Sequence, residues 1–244
     1  MVKGGRTLYG FPVGMVMTDS RFPRIPGDNG HAATWPFPML YRSVPGAGPG
    51  RVVRMLSEAE LLEPFIEASL ELERAGVEVV TTSCGFLVLF QRRVQERLSV
   101  PFLSSSLLQA PWVASLLPPG RRVGVLTIEK RSLTPAHLEA AGIRPELGVA
   151  VLGMEETGGH FVDVVLGDRD QLDVARARAE HEQAARTLVE RHPDVGAIVL
   201  ECTNMPPYAD TVRRVSQLPV YDLTTLVRWA AAGVCPRGFD PPDE

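Results

Sequence analysis

Cys84 stands in TTSCGF (residues 81–86) and Cys202 in ECTNMPPY (residues 201–208). Each thiol follows an apolar, strand-like run, GVEVV or VGAIVL, and a short polar break, and each leads into a turn. In open parallel sheets ligands bind beyond the carboxyl ends of the strands. A thiol placed there, at the start of the next helix, meets unpaired backbone N–H groups and the positive end of the helix dipole. Both lower a thiol pKa and predict a base or nucleophile near neutral pH. Gly85 lets a ligand approach the backbone and offers its amide to a carboxylate, and Thr203 and Asn204 offer the same at the second site. A free cysteine at a strand end is otherwise most often a small buried hydrophobe. Two in matching positions argue against that. Cys235, in GVCPRG, has no such setting and reads as inert.

The elements that must position these thiols alternate strand and helix. Phe11–Met17 reads as a strand; Ser57 opens a helix with capping-box spacing to Glu60, Gly76 ends it, and Val77–Thr82 is the next strand. A helix from Gly85 to about Leu98, a short strand at Val100–Leu103 and a serine-capped helix to Leu117 follow. After Pro118-Pro119-Gly120 the pattern restarts. Strands are expected at Arg122–Ile128, Val149–Met154, Ala197–Glu201 and Val220–Asp222. Helices are expected from Thr134-Pro135 to Gly142, over Asp170–His192, from Pro206 to Val215 and near Thr224–Ala232. This order predicts an α/β protein of two similar flavodoxin-like, three-layer halves with parallel sheets and a cleft between them. One half comprises 1–105 with 216–244, the other 106–215. Segment 20–50, rich in Pro and Gly but carrying Trp35, Phe37 and Tyr41, reads as a packed lid.

Composition narrows the chemistry. The 244 residues are 45% hydrophobic and 22% charged, ordinary globular values, and a net charge of −4 gives no reason to expect nucleic acid. No apolar run approaches the roughly 18 residues of a membrane span. The N-terminal apolar stretch is broken by Pro12 and Gly14 without a cleavage pattern, so a cytoplasmic location is expected. Three cysteines without CxxC spacing suggest neither a disulfide framework nor zinc. Lysine occurs only at Lys3 and Lys130, which disfavours a pyridoxal-phosphate Schiff base, and the GAGPG of 46–50 lacks the strand-to-helix setting of a dinucleotide loop.

TTSCGF and ECTNMPPY, with the two-half order, resemble the aspartate/glutamate racemase superfamily, whose relatives include hydantoin racemases, maleate isomerases and arylmalonate decarboxylases. The resemblance implies a cofactor-free enzyme, with no metal, that sets one cysteine on each face of a substrate Cα; decarboxylases of the group keep only one of the two. It implies an isomerase that racemises an amino acid or related small carboxylate, Cys84 and Cys202 transferring the proton. Two thiols of similar pKa, one ionised and one protonated, suit that task. Thr82, Ser83, the Gly85 amide and Thr203–Asn204 are candidates to hold the carboxylate and the carbanion. The resemblance further assigns Asp19, after the first strand, and a glutamate after a second-half strand, Glu155 ahead of Glu156, to the site. Asn204 departs from the histidine of glutamate racemases and argues against glutamate. Thr127 reads equally as a substrate contact or a cap, and Glu201 as orienting Cys202 or capping a turn. A maleate-type isomerase or a decarboxylase using one cysteine remains open, as does a non-catalytic small-ligand binder. A homodimer is the expected assembly.

Overall fold

The computed structural model describes residues 4–55 and 57–236. Four parallel strands form a first sheet: β1 (Val13–Thr18), β2 (Met39–Val44), β3 (Val79–Thr82) and β4 (Phe102–Leu103), in the order β2-β1-β3-β4. A second sheet repeats the plan with β5 (Arg122–Thr127), β6 (Ala150–Gly153), β7 (Val195–Leu200) and β8 (Val220–Tyr221), in the order β6-β5-β7-β8. All pairings are parallel. The inner strands β1, β3, β5 and β7 are buried nearly throughout, as strands covered on both faces must be.

The repeat extends to single residues. Gly14 in β1 makes room for Leu72 of the long helix α2 (Glu58–Ala75), numbered after α1 (Pro49–Arg54). Gly124 in β5 does the same for Leu188 of a second long helix, Val174–Arg191. In each half a glycine in the leading strand lets the following long helix lie close against the sheet, so the V-G of PVGMVM and the V-G of RRVGVL are equivalent.

The helix that follows each sheet in the chain covers the other sheet, as the division at 105/106 and the return of the C-terminal segment to the first half anticipate. Residues 106–115, a 3₁₀ turn continuing into a short helix, place Leu107, Ala110 and Val113 against Val123, Val125, Ala197 and Val199. The final helix, Leu223–Val234, packs Leu223, Leu226, Val227 and Ala231 on Val13, Met15 and Val79. Strand β8 belongs to the second sheet, so a boundary at 216 falls too early: backbone pairing of Ile198 and Val199 with Val220 and Tyr221 carries the second half to Tyr221.

Two further expectations change. Segment 20–50 is not all loop, since Met39–Val44 is an edge strand and Pro49 opens α1. Its aromatics do pack as expected: Trp35 and Phe37 stack 6.0 Å apart, and Trp35 Nε1 donates to Asn29 O at 3.0 Å, which holds the loop down on the first sheet. The helix expected after Cys84 is mostly a 3₁₀ turn (Gly85–Phe90), with one α-turn after it, α3 (Gln91–Gln95). Among the described residues no helix is long and apolar enough to cross a membrane.

Candidate active site

Cys84 lies two residues past the end of β3 and Cys202 two residues past the end of β7. In both, the carbonyl accepts from the amide three residues on, Leu87 N at 3.1 Å and Met205 N at 3.1 Å, so each thiol opens a tight turn. The two cysteines line one cavity between the sheets, with Thr18, Ser83, Gly85, Glu201, Thr203 and Asn204 as its polar wall. Phe22, Phe86, Ile128, Val165 and Leu166 form much of its apolar wall. The cavity measures about 20 Å³, room for one water. Among the described residues lining it there is no lysine, arginine or histidine.

The candidate residues fall into three groups. Ser83, Gly85, Thr203 and Asn204 join the cysteines at the cavity. Thr203 Oγ1 donates to Ser83 O at 2.6 Å and so ties the two strand ends together across the cleft. Thr82 and Thr127 stand one layer behind: Thr82 Oγ1 donates to Ser104 O at 2.8 Å, and Thr127 Oγ1 donates to Glu201 Oε2 at 2.8 Å. Asp19 and Glu155 do not reach it. Asp19 is exposed and accepts from Gly46 N at 2.9 Å, closing its own loop. Glu155 is exposed and accepts from Lys130 N at 2.7 Å.

The carboxylate in the cavity is instead Glu201, fully buried. A side chain at position 85 would run into its carboxyl group and its carbonyl, so only glycine fits there. Oε2 is held by Thr127, whereas Oε1 has no hydrogen-bond partner among the described residues. The first half builds the equivalent place without charge. Thr18, at the end of β1 as Thr127 is at the end of β5, meets Ser83, which precedes Cys84 as Glu201 precedes Cys202; Thr18 N donates to Ser83 Oγ at 2.8 Å.

Electrostatics overturn the expectation of low thiol pKa values. Burial pushes the Cys84 thiol up to about 12, and the charge of Glu201 adds to the rise; the amides of Phe86 and Leu87 oppose it. Burial likewise holds Cys202 well above the ordinary thiol value, Glu201 adding to it against the Asn204 amide. Glu201 itself is lifted by burial to about 7, despite the Thr127 hydroxyl and the Ile128 amide. In this closed cavity the group poised near neutrality is therefore the carboxyl, not a thiol.

Two straps hold the halves together around the site. From the first half, the loop after β1 crosses to the second: Arg21 N and Phe22 N donate to Asp168 Oδ1 at 2.6 and 3.1 Å. Further along it, buried Asp28 accepts from Asn204 Nδ2 at 2.8 Å, and Asn204 Oδ1 faces Cys202 Sγ at 3.6 Å. From the second half, buried Glu129 accepts from Arg54 of α1 at 2.7 Å, and also from Arg131 and Ser132. Asp28 carried no sequence signal of its own; only the fold brings it to Asn204. Among the described residues no three His, Cys, Asp or Glu side chains converge to hold a metal ion.

Residues 57–231 match the family model described as Asp/Glu/Hydantoin racemase. A dimethylsulfoniopropionate lyase of Durusdinium sp. clade D is 31% identical over 219 residues, which cover 86% of this chain and 70% of that protein. Dimethylsulfoniopropionate lyase 7 of Emiliania huxleyi is 30% identical over 221 residues, 87% of this chain and 64% of that protein, so the chain spans about two thirds of such relatives. Among solved structures, allantoin racemase from Pseudomonas fluorescens superposes with a TM-score of 0.62 at 16% identity, covering 91% of this chain and 90% of that one. Unliganded arylmalonate decarboxylase superposes at 0.54 with 16% identity, covering 95% and 96%; these two share the fold. With the two thiols at equivalent strand ends, the match over most of the chain fixes the family: the chain belongs to the Asp/Glu/hydantoin racemase family.

Proposed function

We propose that the chain breaks the Cα–H bond of a small carboxylate with a cysteine of the Cys84–Cys202 pair, and that its substrate then expels a β-leaving group, as dimethylsulfoniopropionate would. A thiolate takes the Cα proton, and the C–H electrons become a Cα=Cβ bond. The bond from Cβ to the sulfonium sulfur breaks, and its electrons leave on neutral dimethyl sulfide, so acrylate remains. No acid is needed for that leaving group.

One observation carries this reading: the cavity holds two thiols and a carboxyl group, and among the described residues no lysine, arginine or histidine lines it. A dicarboxylate would enter with two negative charges unmatched beside Glu201, whereas a sulfonium carboxylate brings its own positive charge. The 31% and 30% identities to dimethylsulfoniopropionate lyases support the same choice. The carboxylate end would be received by Ser83, Thr203, Asn204 and the Gly85 amide. Small hydroxyl and amide donors of this kind stabilise the charge that grows on the carboxylate as the proton leaves. Phe22 and Phe86 give the dimethyl end apolar walls.

A second reading, racemisation by two opposed thiols, is favoured by the equal placement of both cysteines, since elimination uses only one base. Incubation with dimethylsulfoniopropionate should release dimethyl sulfide by headspace gas chromatography and acrylate by NMR. Cα deuterium uptake from D2O by amino acids or hydantoins, with no sulfide released, would select racemisation instead. Neither elimination nor exchange would sink both readings.

A further inference from the structure

Glu201 is the one cavity residue whose chemistry the fold does not ask for. At the equivalent place in the first half, a threonine and a serine close the same strand end with neutral hydroxyls, Thr18 Oγ1 and Ser83 Oγ lying 3.2 Å apart. The second half keeps the threonine, Thr127, but sets a carboxyl group against it, wholly buried and with Oε1 unpartnered among the described residues. Leaving a buried carboxylate oxygen without a partner is costly, and a serine there would avoid it. That oxygen lies over Gly85, the residue after Cys84, while Glu201 itself directly precedes Cys202, and all four line the one cavity; the charge of Glu201 acts on both thiols.

We infer that Glu201 is a positioning residue for the thiol pair: its free carboxylate oxygen takes the S–H proton of the cysteine that enters the reaction, leaving a thiolate beside a neutral carboxyl group. This rests on the reading of Cys84 and Cys202 as the reacting pair. The transfer moves one proton from sulfur to oxygen and leaves the total charge unchanged. In elimination the substrate proton ends on sulfur and the carboxyl proton passes to solvent. In racemisation the carboxyl proton returns to the second sulfur, which has given up its own.

The titratable groups that face Glu201 are few. Cys84 comes from the turn after β3 and Cys202 from its own turn. Asp28 stands beyond Asn204 on the first-half strap. Glu129, past the end of β5, is saturated by Arg54, Arg131 and Ser132, and His137 lies behind the Phe86 ring at 5.1 Å between centroids. None of these side chains hydrogen-bonds Oε1, and the only backbone group that favours the ionised carboxyl among the described residues is the Ile128 amide.

The test reads the thiols themselves, so it holds whatever the substrate is. Iodoacetamide labelling of the intact protein, followed at Cys84 and Cys202 by peptide mass spectrometry from pH 5 to 11, should rise in two steps. The first is a small rise that levels off near neutrality, where the carboxyl ionises and a minor share of the pair exists as thiolate beside neutral carboxyl; the second, larger rise is at high pH, where the thiols themselves ionise. In E201Q, whose amide oxygen can still accept from Thr127, the first step should vanish and a single rise remain. Turnover should fall by 100-fold or more, with E201D recovering part of it. E201Q should melt no lower than wild type at pH 8, because it removes a charge held in a buried place. Should E201Q not fold, T127V serves: loss of the hydroxyl donor weakens the ionised form and moves the first step to higher pH. A single-step profile in wild type, a first step that survives in E201Q, or an unmoved step in T127V overturns the inference. Absence of turnover alongside the predicted labelling pattern would count against the lyase and racemase readings, not against this one.

Discussion

The two halves repeat each other in strand order, in the glycine beneath the long helix and in the two-residue offset of the thiol, yet they treat charge oppositely. The first half closes its strand end with Thr18 and Ser83 and reaches across the cleft through Asp28, a strap that ends on Asn204 beside Cys202. The second half closes its strand end with Thr127 and Glu201 and reaches back through Glu129, which meets Arg54 away from the cavity lining. Duplication therefore supplies matching positions, and a few side chains differ between them: the Asp28 strap ends beside Cys202, whereas the Glu129 strap joins the halves away from the cavity lining.

The comparison breaks most sharply at the cysteines. Under elimination, one of Cys84→Ala and Cys202→Ala should lower turnover by about 10³-fold and the other by far less, the size expected for loss of a positioned base. Equal losses in a sulfide-release assay would mean that the halves are chemically alike. The Glu129 strap comes next. Burial alone would push Glu129 up, but hydrogen bonds from Arg54, Arg131 and Ser132 outweigh it and hold the carboxyl at about 2. A folded-state pKa below the unfolded value near 4.5 stabilises at pH 7, and this contribution is lost as pH falls through 4.5 toward 2. Glu129→Gln should thus cost up to about 3 kcal/mol in urea unfolding at pH 7 and much less at pH 2.5. An equal cost at both would refute the assignment of this strap as an ionic fastener.

Gly85→Ala probes the crowded side of the cavity. Its Cβ would meet the Glu201 backbone as well as its carboxyl, so we expect a loss of about 1–3 kcal/mol by thermal unfolding, together with impaired turnover. Gly124→Ala meets mainly the flexible ends of Leu188 and Val195 and should leave turnover nearer wild type; the reverse ranking would show that Gly85 is not shaped for Glu201. The smallest effect belongs to the Asp28 strap. Asp28→Asn weakens the 2.6 Å ion pair with Arg24 and should speed iodoacetamide labelling of Cys202 about 10-fold, the equivalent of one hydrogen bond. Glu129→Gln should not. If both variants labelled alike, the two straps would be one device.

Much of this architecture was legible in the chain. Strand–helix alternation announced parallel sheets, Gly76 marked the helix stop it occupies with φ 98°, and the two cysteines could be placed at strand ends from their flanking runs. The edge strand Met39–Val44 was hidden because an edge of intermediate burial needs no continuous apolar run, and MLYRSV has none. Ser57 has the capping spacing, but its side chain makes no cap hydrogen bond. Asp19 and Glu155 were carried by resemblance alone, and local turns claimed both carboxylates before they could reach the cavity.

The sequence by itself determined the two sulfurs, their equivalent strand-end positions and the small donors beside them, because periodicity and turn signals are local properties of the chain. Only the tertiary structure decided the state of those sulfurs. Burial, the Glu201 carboxyl group and a strap from the opposite half oppose what a strand end does to a thiol, and burial and strap depend on residues far apart in sequence meeting around one small cavity.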